Sequence, residues 1–286
     1  KEILMILVDL NQVLISNLMA QTRGKAEEMP NKDMIRHMVI NSIRGYKLKF
    51  GEQYGDIILC ADASNTWRRS VFPNYKYARK KNREDSATNW LSIFEVINDI
   101  RVEIQENFPY MVLHIDTAEA DDIIGTLVKE LAPKEKNILI ISGDKDFIQL
   151  QKYANVKQYA PIQKKFIEDA NPKRFLHEQI IKGDRSDGVP NILSNDDVFV
   201  VGEKQRPINK KRLEEWANVD NIPLGSETKK FYQRNKTLID LEQIPEPLVN
   251  TIINRYTSYK VNNRSKLLPY FMKHKLKALM TNINDF

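Results

Sequence analysis

Three closely spaced carboxylates lie where an apolar stretch gives way to a helical pattern in the middle of the chain. They are Glu119, Asp121 and Asp122. The preceding residues Tyr110–Ile115 are predicted to form a strand, and apolar residues at helical spacing over Ala120–Leu131 predict a helix. Acids in a first turn are stabilised by the helix dipole, so this cluster alone has a purely structural explanation.

Three other apolar runs also end in an aspartate, which makes chemistry a stronger explanation. These are Ile3–Val8 before Asp9, Ile57–Ala61 before Asp62, and Ile138–Ser142 before Asp144. Continuous apolar runs are typical of parallel strands buried on both faces. Ligands of parallel α/β sheets bind at the carboxyl ends of the strands, so we expect all four groups of acids to point to one place.

Helical and strand patterns alternate through the first part of the chain. Helices are predicted over Asp33–Phe50, from about Trp90 to Pro109, and from about Phe147 to Tyr153, with an edge strand near Val156–Tyr159. This alternation predicts an α/β fold with a mostly parallel central sheet flanked by helices.

After Tyr159 the alternation fades, and Ser194–Ile208 is predicted to be a long loop. Further helical stretches are predicted around Arg212–Trp216, Leu238–Leu241, Leu248–Tyr259 and Leu267–Met280. We therefore expect an α/β domain over residues 1–180 and a smaller helical C-terminal domain over residues 181–286.

A basic segment without acids follows Asp62 by only five residues. Its cations are Arg68, Arg69, Lys76, Arg79, Lys80, Lys81 and Arg83, interleaved with Trp67, Phe72, Tyr75 and Tyr77. Cations neutralise phosphates and aromatic rings stack on unpaired bases, which favours a nucleic-acid contact surface. The alternative is a charged helix that simply faces solvent.

The composition excludes some classes of protein and site but does not identify one. The chain has 286 residues and a net charge of +6, which agrees with an acidic partner without requiring one. One cysteine and four scattered histidines predict neither a disulfide framework nor a zinc site. No stretch is long and apolar enough for a membrane span, and no secretion signal is recognisable at the start. We expect a cytoplasmic protein, monomeric and without membrane contact.

Gathering so many acids in one cleft demands cations. The candidate ligands are Asp9, Asp62, Glu119, Asp121, Asp144, Asp146, Asp184 and Asp187. Like charges would otherwise force some carboxyls to protonate, whereas Mg²⁺ prefers carboxylate oxygens. Two such ions hold the attacking and leaving oxygens of a phosphodiester displacement. Lys76 and Arg79 would add positive charge at the scissile phosphate.

At these residues the chain resembles the flap-endonuclease and polymerase-associated 5′-nuclease family. The matching motifs are Ala118-Glu-Ala-Asp-Asp-Ile-Ile-Gly-Thr-Leu127, Ser142-Gly-Asp-Lys-Asp-Phe-Ile-Gln-Leu150, Gly183-Asp-Arg-Ser-Asp187 and Phe72-Pro-Asn-Tyr-Lys76. The last one is similar to the start of the family's helical arch, here residues 65–90, through or beneath which a single strand passes. The final third and the ending Leu279–Phe286 resemble the phage ribonuclease H branch.

The resemblance implies a PIN-like 5′-nuclease core with two Mg²⁺ ions, for which Mn²⁺ can substitute. One ion would lie among Asp9, Asp62, Asp121 and Asp144, with Glu119 close by, and the second among Asp146, Asp184 and Asp187. Asp122 would support the helix start or a metal-bound water.

The same resemblance implies a substrate class and partners. The enzyme would act 5′ to 3′ on RNA–DNA hybrids and on flap or nicked duplex DNA, and it would remove RNA primers during lagging-strand synthesis in phage-like replication. A sliding clamp and a single-stranded-DNA-binding protein would be its partners.

One segment departs from the family pattern, and other interpretations remain. Much of the family continues with a Gly-rich helix-hairpin-helix that holds a monovalent cation, but Val189–Asp197 lacks those glycines.

A haloacid-dehalogenase-type phosphatase would need an aspartate where Asn11 stands. A PIN-type ribonuclease would not need the basic segment, and a non-catalytic nucleic-acid-binding factor would not cleave in magnesium.

Overall fold

The fold is built on one six-stranded sheet with the strand order β3-β2-β1-β4-β5-β6. The computed structural model describes residues 4–22, 31–85, 89–134, 137–217, 221–222 and 225–286. The strands are Met5–Asp9 (β1), Asp56–Ala61 (β2), Met111–His114 (β3), Ile138–Ile141 (β4), Val156–Ala160 (β5) and Lys165–Ile167 (β6). All neighbouring pairs are parallel except β5 and β6, so the predicted α/β class is confirmed.

Helices cover both faces of the sheet and continue to the end of the chain. They are Leu10–Thr22 (α1), Lys32–Tyr54 (α2), Arg68–Val71 (α3), Tyr77–Glu84 (α4), Trp90–Asn107 (α5), Ala120–Leu131 (α6), Pro172–Lys182 (α7), Lys210–Glu215 (α8), Ser226–Ile239 (α9), Glu246–Ser258 (α10), Leu267–Lys273 (α11) and Lys277–Met280 (α12). Short 3₁₀ turns include Lys145–Lys152, which replaces the helix predicted there.

The central strands are apolar throughout because both of their faces are covered. In β1, Ile6 and Val8 belong to one hydrophobic cluster, while Met5 and Leu7 belong to the cluster on the opposite face. Strand residues alternate between faces, so one short run contributes to two cores. The register of β1 with β2 and β4 brings their carboxyl ends together.

One predicted strand is wrong in detail, and one helix is not predicted by the sequence analysis. The strand at Val156–Ala160 is not an edge, because Lys165–Ile167 pairs with it in antiparallel orientation. This strand has only three residues, which is too short for a period to be recognised in the sequence. Helix α1 was also missed, because it continues the apolar run of β1 without a turn residue between them.

The C-terminal region packs on both faces of the sheet. Leu248 and Ile252 of α10 join the cluster around α6, and Phe271 and Phe286 pack their rings edge-on or tilted against one another and against Phe108. The predicted helix over Leu267–Met280 is in fact interrupted after Lys273. The domain division at residue 180 stays a prediction.

No helix among the described residues is long and apolar enough to cross a membrane.

We expect Gly183→Ala to destabilise the fold by about 2 kcal/mol or more, because Gly183 ends α7 with a φ of +70°. A methyl group there would lie 2.3 Å from the carbonyl oxygen of Val189. Denaturant unfolding measures this loss.

Gly45→Ala is the matched control. Gly45 lies exposed within α2 and has nothing within 4 Å of an added methyl group. Alanine is the better helix former, so this variant should be more stable by ~0.5–1 kcal/mol. Equal losses in both variants would contradict the tight turn at Gly183.

Candidate functional site

The strand-end aspartates are joined to one another by polar contacts at one edge of the sheet. Asp9, the last residue of β1, accepts a hydrogen bond from the Ser142 hydroxyl at 3.1 Å. The same hydroxyl oxygen accepts a 3.1 Å hydrogen bond from the backbone N–H of Asp144. The ends of β1 and β4 are thereby held together, with their carboxylates on the same side.

Asp62 connects the end of β2 to the start of α6. Its carboxylate accepts a 2.7 Å hydrogen bond from the backbone N–H of Ala120, the first residue of that helix. Its own backbone N–H donates to the Asn11 side chain at 3.0 Å. In the sequence Asn11 served only as evidence against a phosphatase, whereas in the structure it positions Asp62.

Glu119 and Asp122 form a reciprocal cap at the start of α6. The Glu119 side chain accepts from the backbone of Asp122, and the Asp122 carboxylate accepts from the backbone N–H of Glu119 at 2.9 Å. Asp122 is fully buried. Of the two roles considered for Asp122, the structure shows the support of the helix start.

Asp121 lies in the first turn of α6, and three further acids contact α7 or lie in the turn that follows it. Asp146 accepts a hydrogen bond from the Gln179 amide, and Asp184 accepts from the backbone N–H of Ser186 at 2.7 Å. Asp187 accepts from the Tyr75 hydroxyl at 2.9 Å. Gln179 was not predicted as a site residue because α7 itself was not recognised in the sequence.

The nucleic-acid contact predicted for Arg68 is wrong. Only 3% of Arg68 is exposed, and its guanidinium contacts Glu119 at 2.8 Å and Asp122 at 2.9 Å. It also donates to the carbonyl of Leu238 at 2.9 Å, which ties the end of α9 to the site. Arg68 is a buried counter-ion because two carboxylates cap α6 beside it.

Lys76 and Arg79 lie against the acids, and their role at the scissile phosphate stays a prediction. The Lys76 ammonium is 2.5 Å from Glu119 and 3.8 Å from Asp187. Arg79 forms an ion pair with Asp187 and donates to the backbone carbonyl of Ser186 at 3.0 Å. The base of the basic segment is therefore held to the acidic edge by its own cations.

The aromatic residues of the basic segment are mostly unavailable for stacking on bases. Trp67, Phe72 and Tyr75 are buried, and the Trp67 indole donates to Asp122 at 3.2 Å. Tyr77 alone among them is exposed. The cations that face solvent are Arg69, Arg79, Lys80 and Lys81, while Arg83 is half-buried.

Burial and mutual repulsion raise the pKa values of several of the acids. The pKa of Asp9 rises to about 7, first through burial and then through the nearby charge of Asp62. Burial and the charge of Asp144 raise the pKa of Asp146 to about 7. The same causes, with Asp9 adding to them, raise the pKa of Asp121 well above its usual range.

Glu119 behaves in the opposite way because cations surround it. Burial alone would raise its pKa, but the charges of Lys76 and Arg68 outweigh that effect and lower it. The pKa of Glu119 is therefore lowered, whereas those of Asp9, Asp121 and Asp146 are raised, because only Glu119 of these four has cations beside it.

Within the described ranges, no three Asp, Glu, His or Cys side chains are gathered closely enough to hold a metal ion. Lys76 and Arg79 occupy oxygens of Glu119 and Asp187. The two ligand sets expected from the sequence therefore stay predictions. A cleft of about 650 Å³ opens beside these acids, lined among others by Gln12, Asp144, Asp146 and Asp184.

We expect Arg68→Met to cost about 3–5 kcal/mol of stability, because it leaves Glu119 and Asp122 buried without their guanidinium partner. Arg69→Met is the control, since Arg69 is exposed. Urea unfolding at constant pH compares the two variants. A similar small effect in both would show that the buried ion pairs do not stabilise the fold.

We expect Asp9→Asn to gain stability relative to the wild type as pH rises from about 4 to about 7. The Asp9 pKa moves from a usual value of 3.8 to about 7 in the folded state. The wild type therefore loses stability across that window, because its unfolded state ionises first, and the loss levels off above it.

Chemical denaturation in the presence of a chelator, repeated across this pH range, gives the difference between the two proteins. Histidine titration is common to both proteins and cancels. A difference that stays constant, or that shrinks with rising pH, would show that Asp9 is not held in a repulsive environment.

The sequence of this chain matches a known protein family. The profile described as "5′-3′ exonuclease, N-terminal resolvase-like domain" matches residues 5–180, and the profile described as "T4 RNase H, C terminal" matches residues 173–286. Ribonuclease H of Enterobacteria phage T4 is 36% identical over 98% of this chain and 95% of its own length.

More distant proteins are similar to part of the chain or to its fold. Flap endonuclease Xni of Shewanella oneidensis is 30% identical over 44% of this chain and 48% of its own length. The solved structure of T5 5′-exonuclease with bound zinc superposes with a TM-score of 0.66 at 16% identity, covering 88% of this chain and 98% of that one. The chain belongs to the 5′-3′ exonuclease family with an N-terminal resolvase-like domain, and it carries the C-terminal domain of the T4 ribonuclease H type.

Proposed function

We propose that this protein is a metal-dependent 5′→3′ nuclease of the ribonuclease H and flap endonuclease type. The observation that carries the proposal is the shared edge of the sheet, where buried carboxyls with raised pKa values adjoin a basic segment. Carboxylates crowded in this way need cations, and a phosphate backbone needs a cationic surface. Removal of RNA primers in phage-like DNA replication is the biological role that fits this activity.

The chemistry of the donors fits hard divalent cations. Asp9, Asp62, Asp121 and Asp144 would hold one Mg²⁺ with Glu119 beside it. The acids that would hold a second Mg²⁺ are Asp146, Asp184 and Asp187. Carboxylate oxygens are the ligands that Mg²⁺ prefers, and Mn²⁺ accepts the same donors. The solved structure of T5 5′-exonuclease, which is similar in fold, contains bound zinc, and this supports the binding of a divalent metal ion.

The ions would activate water for attack on the phosphodiester and neutralise charge on the leaving oxygen. The chain itself supplies the remaining positive charge. Lys76 and Arg79 already lie at the acidic edge, and once the acids are neutralised their side chains become available to a phosphate. Asp122 and Arg68 act through Glu119, because together they fix its position at the start of α6.

The substrate would lie across the basic segment, with its reactive strand at the acidic edge. Arg69, Lys80 and Lys81 face solvent and would contact its phosphates. The flap endonuclease of bacteriophage T5 has been crystallised as a pseudo-enzyme-product complex with DNA and metal ions, which supports this substrate class. Residues 181–286 would bind the duplex, and a sliding clamp and a single-stranded-DNA-binding protein would be partners of the whole molecule.

Cleavage of a 5′-labelled RNA–DNA hybrid and of a 5′-flap duplex tests the proposal directly. We expect short labelled products in magnesium and none in chelator. Intact substrates in magnesium, with binding retained, would instead indicate a non-catalytic nucleic-acid-binding factor.

We expect Asp121→Asn to reduce cleavage to background while substrate binding survives, because the change removes negative charge from the acidic edge and leaves the basic segment intact. Cleavage rates and binding isotherms in magnesium measure the two effects separately. Asp116→Asn is the control, since Asp116 is exposed near the same helix and has no role in the proposal. Undiminished turnover of the Asp121 variant would refute the assignment.

We expect the double variant Lys80→Ala and Lys81→Ala to bind more weakly and with a lower salt dependence. Both residues are exposed, and each lost phosphate contact lowers the slope of log K against log salt by about 0.7–0.9. Lys129→Ala with Lys134→Ala is the charge-matched control, which should keep the wild-type slope, because both residues are exposed at or just beyond the end of α6, away from the acids at its start. An unchanged slope in the first variant would mean that this helix does not touch phosphate.

A further inference from the structure

Arg83 lies in an unusual electrostatic environment at the end of α4. Burial lowers its pKa first, and the positive charges of Arg79 and Arg69 lower it further. Among the described residues Arg83 forms no ion pair with a carboxylate, whereas Arg79 is paired with Asp187. The positive charges of Arg69 and Arg79 therefore oppose that of Arg83, and a bound polyanion would offset this repulsion.

The guanidinium of Arg83 lies over two aromatic rings at the start of α5. It is 5.5 Å from the ring centre of Trp90 and 4.9 Å from that of Phe94. The two rings are 6.1 Å apart and tilted by 34°. Together these three side chains make a small platform of one cation and two aromatic rings, hereafter the Arg83 platform.

The Arg83 platform is incompletely covered by the protein. Phe94 is 38% exposed, and the neighbouring Leu91 is 78% exposed. The buried indole N–H of Trp90 has no hydrogen-bond partner within the described part of the chain. The exposed apolar surface of Phe94 and Leu91 has a free-energy cost, which a ligand with a flat apolar face would relieve.

We propose that the Arg83 platform binds an unpaired base of the displaced 5′ strand. This inference rests on the proposed nuclease function and deepens it by naming the contact that holds the single-stranded arm. Base stacking on aromatic rings tolerates every sequence, and arginine adds a cation–π contact or pairs with the adjoining phosphate. The sequence predicts that Trp67, Phe72 and Tyr75 stack on bases, but these residues are buried. Trp90 and Phe94 would stack on the bases instead.

A purely internal role is the competing explanation. Arg83 could hold α4 against α5 through its cation–π contacts and make no contact with substrate. The two explanations differ in what the arm must contain. Stacking requires bases on the arm, whereas an internal contact is indifferent to them.

The experiment compares two flap duplexes in chelator, one with a normal 5′ arm and one with an arm of abasic nucleotides. Backbone charge is equal in both, so any difference in affinity reports on bases alone. We expect the wild type to bind the normal arm about tenfold more tightly. The Phe94→Leu variant should bind both arms with nearly equal affinity.

Phe166→Leu is the matched control, because Phe166 is 43% exposed on the edge strand β6 and packs away from the basic segment on Phe50 and Tyr159. It should keep the wild-type discrimination. Thermal unfolding of both variants confirms that they are folded. A 2-aminopurine base placed along the arm gives a second readout, since its fluorescence falls where it stacks.

Equal affinity of the wild type for both arms, or full discrimination by Phe94→Leu, would overturn the proposal. An absence of 2-aminopurine quenching at every position would do the same. Cleavage in magnesium is a separate measurement. If neither arm is cut while the normal arm still binds more tightly, the nuclease function fails and the stacking site stands.

Discussion

Repulsion between carboxylates at one edge of the sheet is the constraint on which the rest of this structure depends. Parallel strands β1, β2 and β4 bring Asp9, Asp62 and Asp144 together because their carboxyl ends meet at the same edge. Helix α6 adds Asp121, whose pKa is raised by burial and by the charges of Asp144 and Asp9. Protonation of some carboxyls or binding of cations relieves repulsion of this kind.

The protein's own cations form ion pairs with some of these carboxylates and leave others without a counter-ion. Arg68 is buried against Glu119 and Asp122, so these two carboxylates serve the structure of the helix start. Lys76 reaches Glu119 from a left-handed position at the start of α4. Within the part of the chain that the structure describes, Asp9 and Asp146 form no ion pair, and burial together with the charges of neighbouring acids raises their pKa values.

The central strands, helix α6 and the strand-end acids could be predicted from the sequence, because apolar runs that end in aspartate are a strong local signal. Apolar runs that end in aspartate located three strands to within about two residues, and Ala120–Leu131 was predicted with the bounds it has in the structure. The grouping of Asp9, Asp62 and Asp144 followed from the parallel sheet rule, which needs no side-chain geometry.

The errors arose where tertiary contacts decide the role of a residue. Arg68 and Arg69 are indistinguishable in sequence, yet one is buried with two carboxylates and the other faces solvent. The partners Asn11 and Gln179 were missed because an amide becomes a positioning group only when the fold brings it to an acid. No periodicity in a single sequence carries that information.

Anomalous scattering from crystals grown with Mn²⁺ tests the central claim most directly, because it locates the ions independently of activity. We expect one peak among Asp9, Asp62, Asp121 and Asp144 and a second among Asp146, Asp184 and Asp187. Ions bound elsewhere, with this edge vacant at saturating Mn²⁺, would contradict the claim. The crowded carboxylates would then be a feature of the fold rather than a catalytic centre.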